Sequence, residues 1–180
     1  MMTNTAFIKG QRHFLRGEYD SSIVDFNRAL EEGMDASQVQ VPLGLAHLKN
    51  GAFLAAMEAF SQALDQDPTN DRLFFLRGIA HFNIGNVGKA LDDFTASLER
   101  NAVRGDVFVA RSLAFKALKR DVAAATDLQS ALTLGDVEVE LFIKEYCFAP
   151  ALHSLAMSLF DVEQAGWGTE LWEIRSSRTN

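Results

Sequence analysis

Apolar residues recur along this chain at intervals of three and four, the spacing that places side chains on one face of a helix. One such run ends at Asp67-Pro68 and consists of Phe53, Met57, Phe60 and Leu64. A second run of the same period precedes it and stops at Gly51, where glycine can adopt the positive φ that reverses the chain. The pattern therefore predicts two antiparallel helices joined at this glycine.

The helix pair recurs with a period of 34 residues. Small residues occupy one register, at Gly10, Gly44, Gly78 and Ser112. A second register, seven residues further on, holds Gly17, Gly51, Gly85 and Lys119. Large apolar residues form a third register at Phe26, Phe60, Phe94 and Leu128, and small residues follow it at Ala29, Ala63, Ser97 and Ala131. Because a period of this length is typical of stacked helix pairs, the chain is predicted to be a helical-repeat protein.

The second unit carries the fullest form of the pattern, in Leu43-Gly44, His47, Gly51, Phe53, Ala56, Phe60, Ala63 and Pro68. On these residues the chain resembles the tetratricopeptide repeat family, and the resemblance spans about residues 3–136. The fourth unit departs from the family pattern at Ser112 and Lys119. The resemblance implies an all-α fold, a right-handed α-solenoid of antiparallel helix hairpins.

We expect a single repeat domain over residues 1–164 and a C-terminal tail over residues 165–180. The four repeats are expected at 3–36, 37–70, 71–104 and 105–136. Two further helical segments, separated by Ala149-Pro150, predict a degenerate capping helix pair at 137–164. In the tail, an apolar cluster is expected to dock on the protein's own surface, and it comprises Trp167, Leu171, Trp172 and Ile174.

In each repeat unit, one stripe of residues along the first of the two helices is expected to face the preceding unit. In the third unit this stripe includes Leu73, Ala80 and Ile84, which we expect to be buried. The equivalent positions of the first unit are polar, at Thr5, Lys9, Arg12 and Arg16. We therefore expect these four side chains in solvent, on a first helix that acts as a cap.

Another stripe of the first helices lines the concave groove where partners dock, as the family resemblance implies. Its apolar members are Phe7, Phe14, Val41, Leu45, Leu48, Phe75, Ile79, Phe82, Val109 and Leu113. Four polar residues are expected to orient a partner, namely Gln11, Arg72, Asn83 and Lys116. We call these fourteen residues the groove set. An extended apolar surface usually marks an interaction site, although burial between adjacent helices or under the chain's own tail is an alternative interpretation.

Composition narrows the classes of function. The formal net charge is −7 and the 17 Lys and Arg are scattered, so nucleic acid is not an expected partner. Cys147 is the only cysteine, which excludes an internal disulfide and a cysteine-based metal cluster. The start lacks the features of a secretory leader and no run approaches about 18 apolar residues, so we expect no membrane insertion and a cytoplasmic location.

Residues whose side chains could support catalysis or metal binding are interpreted as structural. His13, His47 and His81 share one register, but equivalent positions in stacked helices lie roughly 8–10 Å apart. A zinc ion needs each ligating nitrogen at about 2.0–2.1 Å, so these residues are expected to pack and to bond to neighbouring backbone. Phe115 at the fourth position agrees with that interpretation. No catalytic residue, metal or cofactor is predicted.

The sequence therefore predicts a non-catalytic scaffold, an adaptor or chaperone-like protein that holds an apolar peptide or helix in its groove. A clamp for acidic chaperone C-termini is disfavoured, because its positions carry Phe7, Gln11, Pro42, Arg72 and Leu76. Chaperones of hydrophobic secreted translocators are a nearer comparison within the family. The alternative function is a structural unit that self-associates through its ends or its tail.

Overall fold

The computed structural model describes residues 4–134 and 145–146, and the predicted tail lies outside these residues. Eight helices and no strands occupy the described part of the chain. They are α1 (Thr5–Leu15), α2 (Tyr19–Glu31), α3 (Ala36–Lys49), α4 (Phe53–Gln66), α5 (Asp71–Asn83), α6 (Val87–Arg100), α7 (Gly105–Ala117) and α8 (Asp121–Leu134). Successive helices pack as hairpins, and each hairpin packs on the next. The chain is an all-α helical solenoid.

The turn within each hairpin has the same backbone geometry. Gly17, Gly51 and Gly85 have φ values of 74°, 75° and 84°, as the glycine register predicted. In the second hairpin the turn is closed by a hydrogen bond of 2.9 Å from the Ala52 amide to the His47 carbonyl. Lys119 holds the fourth position with a φ of 57°. The fourth hairpin therefore makes the same turn with a side chain that this conformation disfavours.

Close approach between paired helices explains the other glycine register. A Cβ placed on Gly44 would lie 2.6 Å from Phe60 Cε1, and one placed on Gly78 would lie 2.6 Å from Phe94 Cε1. In the fourth hairpin these registers hold Ser112 and Leu128, and both are buried. A phenylalanine ring on the second helix thus leaves no room for a side chain at the glycine of the first helix. In the fourth hairpin, where leucine replaces the phenylalanine, the first helix carries serine at this position.

Arginine–aspartate pairs join the two helices of a hairpin, and each arginine also contacts the preceding hairpin. Arg77 donates to both carboxylate oxygens of Asp93, at 2.9 and 2.7 Å, and its third nitrogen lies 3.4 Å from Ser61 Oγ on the preceding hairpin. The arrangement recurs 34 residues later with Arg111, Asp127 and Thr95. Because the guanidinium binds a carboxylate in one plane, each pair sets the position of a first helix against two second helices.

The stripe that was expected to face the preceding unit is largely confirmed. Thr5, Lys9, Arg12 and Arg16 are all exposed, as predicted for the first helix. In the third unit, Leu73 and Ala80 are buried. The prediction of full burial is wrong for Ile84, which is partly exposed because it is the C-cap residue of α5. None of the helices described here is long and apolar enough to cross a membrane.

Candidate functional site

The groove set lies on the four first helices, with unequal exposure along the solenoid. Six of its apolar members are at most 2% exposed, namely Leu48, Phe75, Ile79, Phe82, Val109 and Leu113. The other four apolar members are partly buried, namely Phe7, Phe14, Val41 and Leu45, as are the polar Asn83 and Lys116. Gln11 and Arg72 are exposed. The apolar members on α5 and α7 are therefore covered, whereas those on α1 and two on α3 remain partly accessible.

A segment from beyond the four described hairpins contacts the groove set. The ring of Tyr146 meets the ring of Phe75 edge to face, with centroids 5.2 Å apart and an interplanar angle of 79°. Asn83 Nδ2 donates a hydrogen bond of 2.9 Å to the Tyr146 carbonyl. The chain itself thus covers part of the predicted groove, although the covering residues lie in the predicted capping pair and not in the tail.

Lys49, the last residue of α3, contacts Glu145, the residue that precedes Tyr146. Its Nζ forms an ion pair with the Glu145 carboxylate and donates to the Glu145 carbonyl at 3.3 Å. The same Nζ lies 5.8 Å from the centroid of the Tyr146 ring, within the range of a cation–π contact. One lysine therefore contacts a side chain, a main-chain carbonyl and an aromatic ring of this segment.

The sequence prediction omitted Lys49, Glu145 and Tyr146. Lys49 could have been found, because it lies 34 residues before Asn83 and so holds the same register in the preceding repeat. No repeat signal marks Glu145 or Tyr146, which lie in the predicted capping pair. Their position depends on how the chain returns to the first helices.

A charged network borders the Tyr146 side of the site. Arg104 binds Asp106 through two hydrogen bonds, of 2.8 and 2.6 Å, and Asp71 through one of 2.9 Å. The Arg104 guanidinium also lies 5.2 Å from the centroid of the Phe75 ring. Burial raises the pKa of Tyr146, the Asp106 carboxylate raises it further, and the cationic Arg72 opposes this rise. Tyr146 is therefore neutral at physiological pH and lies between an aromatic ring and a set of paired charges.

The histidine register has no geometry for metal binding. His13 Nδ1 lies 2.7 Å from Asp25 Oδ2, so its partner is a side chain and the expected backbone bond is not the one formed by this nitrogen. Nδ1 of His47 and of His81 is buried without a hydrogen-bond partner. Burial lowers the pKa of both rings, which favours their neutral forms. No group of three or more His, Cys, Asp or Glu within the described residues could hold a metal ion.

Comparisons with known proteins agree with the helical hairpins. The family model "Tetratricopeptide repeat" matches residues 7–71, which span α1 to the start of α5. A comparison with curated protein sequences found no significant match.

Solved structures show the same fold over most of the chain. A crystal structure of MamA superposes with a TM-score of 0.70 at 16% identity, covering 94% of this chain and 96% of that one. Another MamA structure has a TM-score of 0.65 at 24% identity, with 76% and 75% covered. The crystal structure of YrrB, described as a TPR protein with an unusual peptide-binding site, has a TM-score of 0.58 at 21% identity, with 83% and 69% covered.

The stacked helix hairpins define this chain as a helical-repeat protein, and the groove set lies on the first helix of each hairpin. The family model and the repeated small-residue, aromatic and turn registers agree on one family. Over residues 7–71 the chain is similar to the tetratricopeptide repeat family, and the same registers continue through the later hairpins.

Proposed function

We propose that this protein is a non-catalytic adaptor that binds a peptide or helix of a partner protein along the groove set. The observation that carries the proposal is the position of Glu145–Tyr146 on Phe75, Asn83 and Lys49. Packing of a side chain combined with hydrogen bonds to main-chain carbonyls is how many domains recognise peptides. The groove set therefore supplies both the apolar and the polar contacts that such a ligand requires.

The accessible part of the groove set suggests where a partner makes first contact. Gln11 and Arg72 are exposed, and Phe7, Phe14 and Leu45 are partly exposed. Aromatic anchors surrounded by polar residues are typical of binding hot spots. The peptide-binding site named for YrrB agrees with such a role, and an adaptor or chaperone-like activity would use it.

The proposal is tested by affinity capture with the full chain and two charge-reversal variants. Arg72→Glu alters an exposed residue of the groove set, and Lys89→Glu makes the same change on an exposed position of α6, a second helix. We expect the wild type and Lys89→Glu to capture the same proteins and Arg72→Glu to lose them, with all three melting at similar temperatures. An unchanged set of proteins on Arg72→Glu would contradict binding along this surface.

Self-association through the ends or the tail is the other function that the sequence predicts. Sedimentation velocity over a wide concentration range separates the two, because an adaptor of this kind keeps a constant mass without its partner. The cytoplasmic location stays a prediction from the sequence.

A further inference from the structure

We propose that the site formed by Lys49, Phe75 and Asn83 is specific for a partner segment in which an acidic residue immediately precedes an aromatic one. Glu145–Tyr146 is then the built-in occupant of the site, and partners that present the same pair displace it. The inference rests on the proposed function of the groove set, and it adds the chemistry of the ligand and a means of regulation.

Selection for the acidic residue comes from Lys49. Its ammonium group pairs with the Glu145 carboxylate, and its side chain is only 22% exposed. An ion pair that is partly removed from water is screened less by solvent than a surface pair. A basic residue at this position would place like charges in contact, so the site rejects it as well as favouring an acid.

Selection for the aromatic residue comes from the Phe75 ring and the Lys49 ammonium group. The edge-to-face geometry of Tyr146 on Phe75 is the arrangement that aromatic quadrupoles prefer. The Lys49 ammonium near the Tyr146 ring adds an attraction that an aliphatic side chain cannot provide. A phenylalanine in the partner segment would keep both contacts, so the site is expected to accept phenylalanine as well as tyrosine.

The order of the two residues follows from the main-chain contacts. Lys49 donates to the carbonyl of Glu145, and Asn83 donates to the carbonyl of Tyr146. These donors hold one register on adjacent first helices, so the distance between them is set by helix packing. Two fixed donors on consecutive carbonyls define the position of the segment along the site. An acid and an aromatic that are separated by further residues would not satisfy both side-chain contacts.

Occupation by the chain's own segment makes the site regulated. A tethered ligand competes at a high effective concentration, so a free peptide must overcome it before it can bind. Weakening the internal contacts should therefore increase the affinity for an added ligand without any change in the rest of the groove set.

The test uses two fluorescein-labelled peptides and the full-length chain. The acidic peptide has the sequence of residues 140–151 with Cys147→Ser, and the basic peptide differs from it only by Glu145→Lys. Fluorescence anisotropy measures their affinity for the wild type and for the variants Glu145→Lys and Lys49→Glu. Glu58→Lys, at an exposed position of α4, is the matched control for charge reversal. Tyr146→Ser opens the site by a second route, and thermal melts verify that each variant is folded.

We expect Glu145→Lys and Tyr146→Ser to bind the acidic peptide at least tenfold more tightly than the wild type and Glu58→Lys do. Lys49→Glu should prefer the basic peptide. Equal affinity of the opened variants for the two peptides would overturn the inference and leave the proposed function standing. If no variant binds either peptide, both fail. Sedimentation that shows a wild-type dimer dissociated by the acidic peptide would assign the site to a second copy of the chain and overturn the intramolecular form.

Discussion

The contact between the first-helix glycine and the second-helix aromatic can be tested with substitutions that the chain itself supplies. Gly78 lies against Phe94, whereas the fourth hairpin has Ser112 and Leu128 at the same registers. We predict that Gly78→Ser and Phe94→Leu each destabilise the protein, and that the double variant is more stable than the sum of the two single effects implies.

The magnitude follows from the geometry. A Cβ on Gly78 would lie 2.6 Å from Phe94 Cε1 and 2.8 Å from Cδ1, far closer than carbon atoms pack. Overpacking of this kind costs about 1–3 kcal/mol, and the better helix propensity of serine offsets roughly 0.5 kcal/mol of it. Phe94→Leu alone should cost about 1 kcal/mol, because much of the apolar burial remains. With leucine opposite serine the steric conflict is removed, so we expect a favourable coupling energy of about 1–2 kcal/mol.

The assay is urea unfolding of the four proteins, followed by circular dichroism at the helix band and analysed as a double-mutant cycle. The serine hydroxyl has a precedent for its hydrogen bond, because Ser112 Oγ donates to the Val109 carbonyl at 2.7 Å. Additive effects within about 0.3 kcal/mol would refute the reasoning, since they would show that the two positions do not exclude each other.

Three further predictions concern the ion pair, the buried histidine and the turn. Removing one partner of a fully buried ion pair costs about 3–5 kcal/mol of stability. Asp93→Ala should lower the free energy of unfolding by less, about 2 kcal/mol, because the Arg77 side chain that loses its partner is 24% exposed. Adding Arg77→Leu to Asp93→Ala should recover most of the lost free energy of unfolding, as measured with urea. A double variant less stable than Asp93→Ala alone would contradict a pairing role for the two residues. Burial lowers the pKa of His81, and the charge of Asp93 partly opposes this lowering. The unfolded chain therefore binds more protons than the folded one, so the melting temperature should fall as the pH is lowered from about 7.5 to 5.5. His81→Phe should reduce that slope, and an unchanged slope would assign it to other groups. Lys119→Gly should raise the free energy of unfolding by about 0.5–1 kcal/mol by relieving a φ of 57°, and Gly85→Ala should lower it by about 1 kcal/mol. The same urea assay measures both, and a destabilised Lys119→Gly would argue against backbone strain.

Much of the fold could be predicted from the sequence because each repeat repeats the same local requirement. Glycine at positions 17, 51 and 85 predicted turns of positive φ, and the structure has them. Polar residues at Lys9 and Arg12 predicted exposure, since charged side chains are rarely buried without a partner. Arg77 shows the limit of that rule. Its charge is partly buried because an aspartate 16 residues later and a hydroxyl on the neighbouring hairpin meet it.

The groove set shows a similar division. A stripe of apolar residues on successive first helices is readable from a period of 34, because side chains at one register share one face of the solenoid. That period does not determine what covers the stripe. Phe75 is 1% exposed and Tyr146 packs on it, although the two residues are far apart along the chain.

The sequence by itself determined the helix pairs, their turns and the face that each first helix presents, because these depend on residues within one or two repeats. Only the tertiary structure decided that Glu145 meets Lys49 and that Tyr146 meets Asn83, across 96 and 63 residues. No local pattern encodes such contacts, since they join residues that belong to different repeats. The physical reason is that helix periodicity is a nearest-neighbour property, whereas the occupant of a groove is chosen by the shape and charge of the assembled surface.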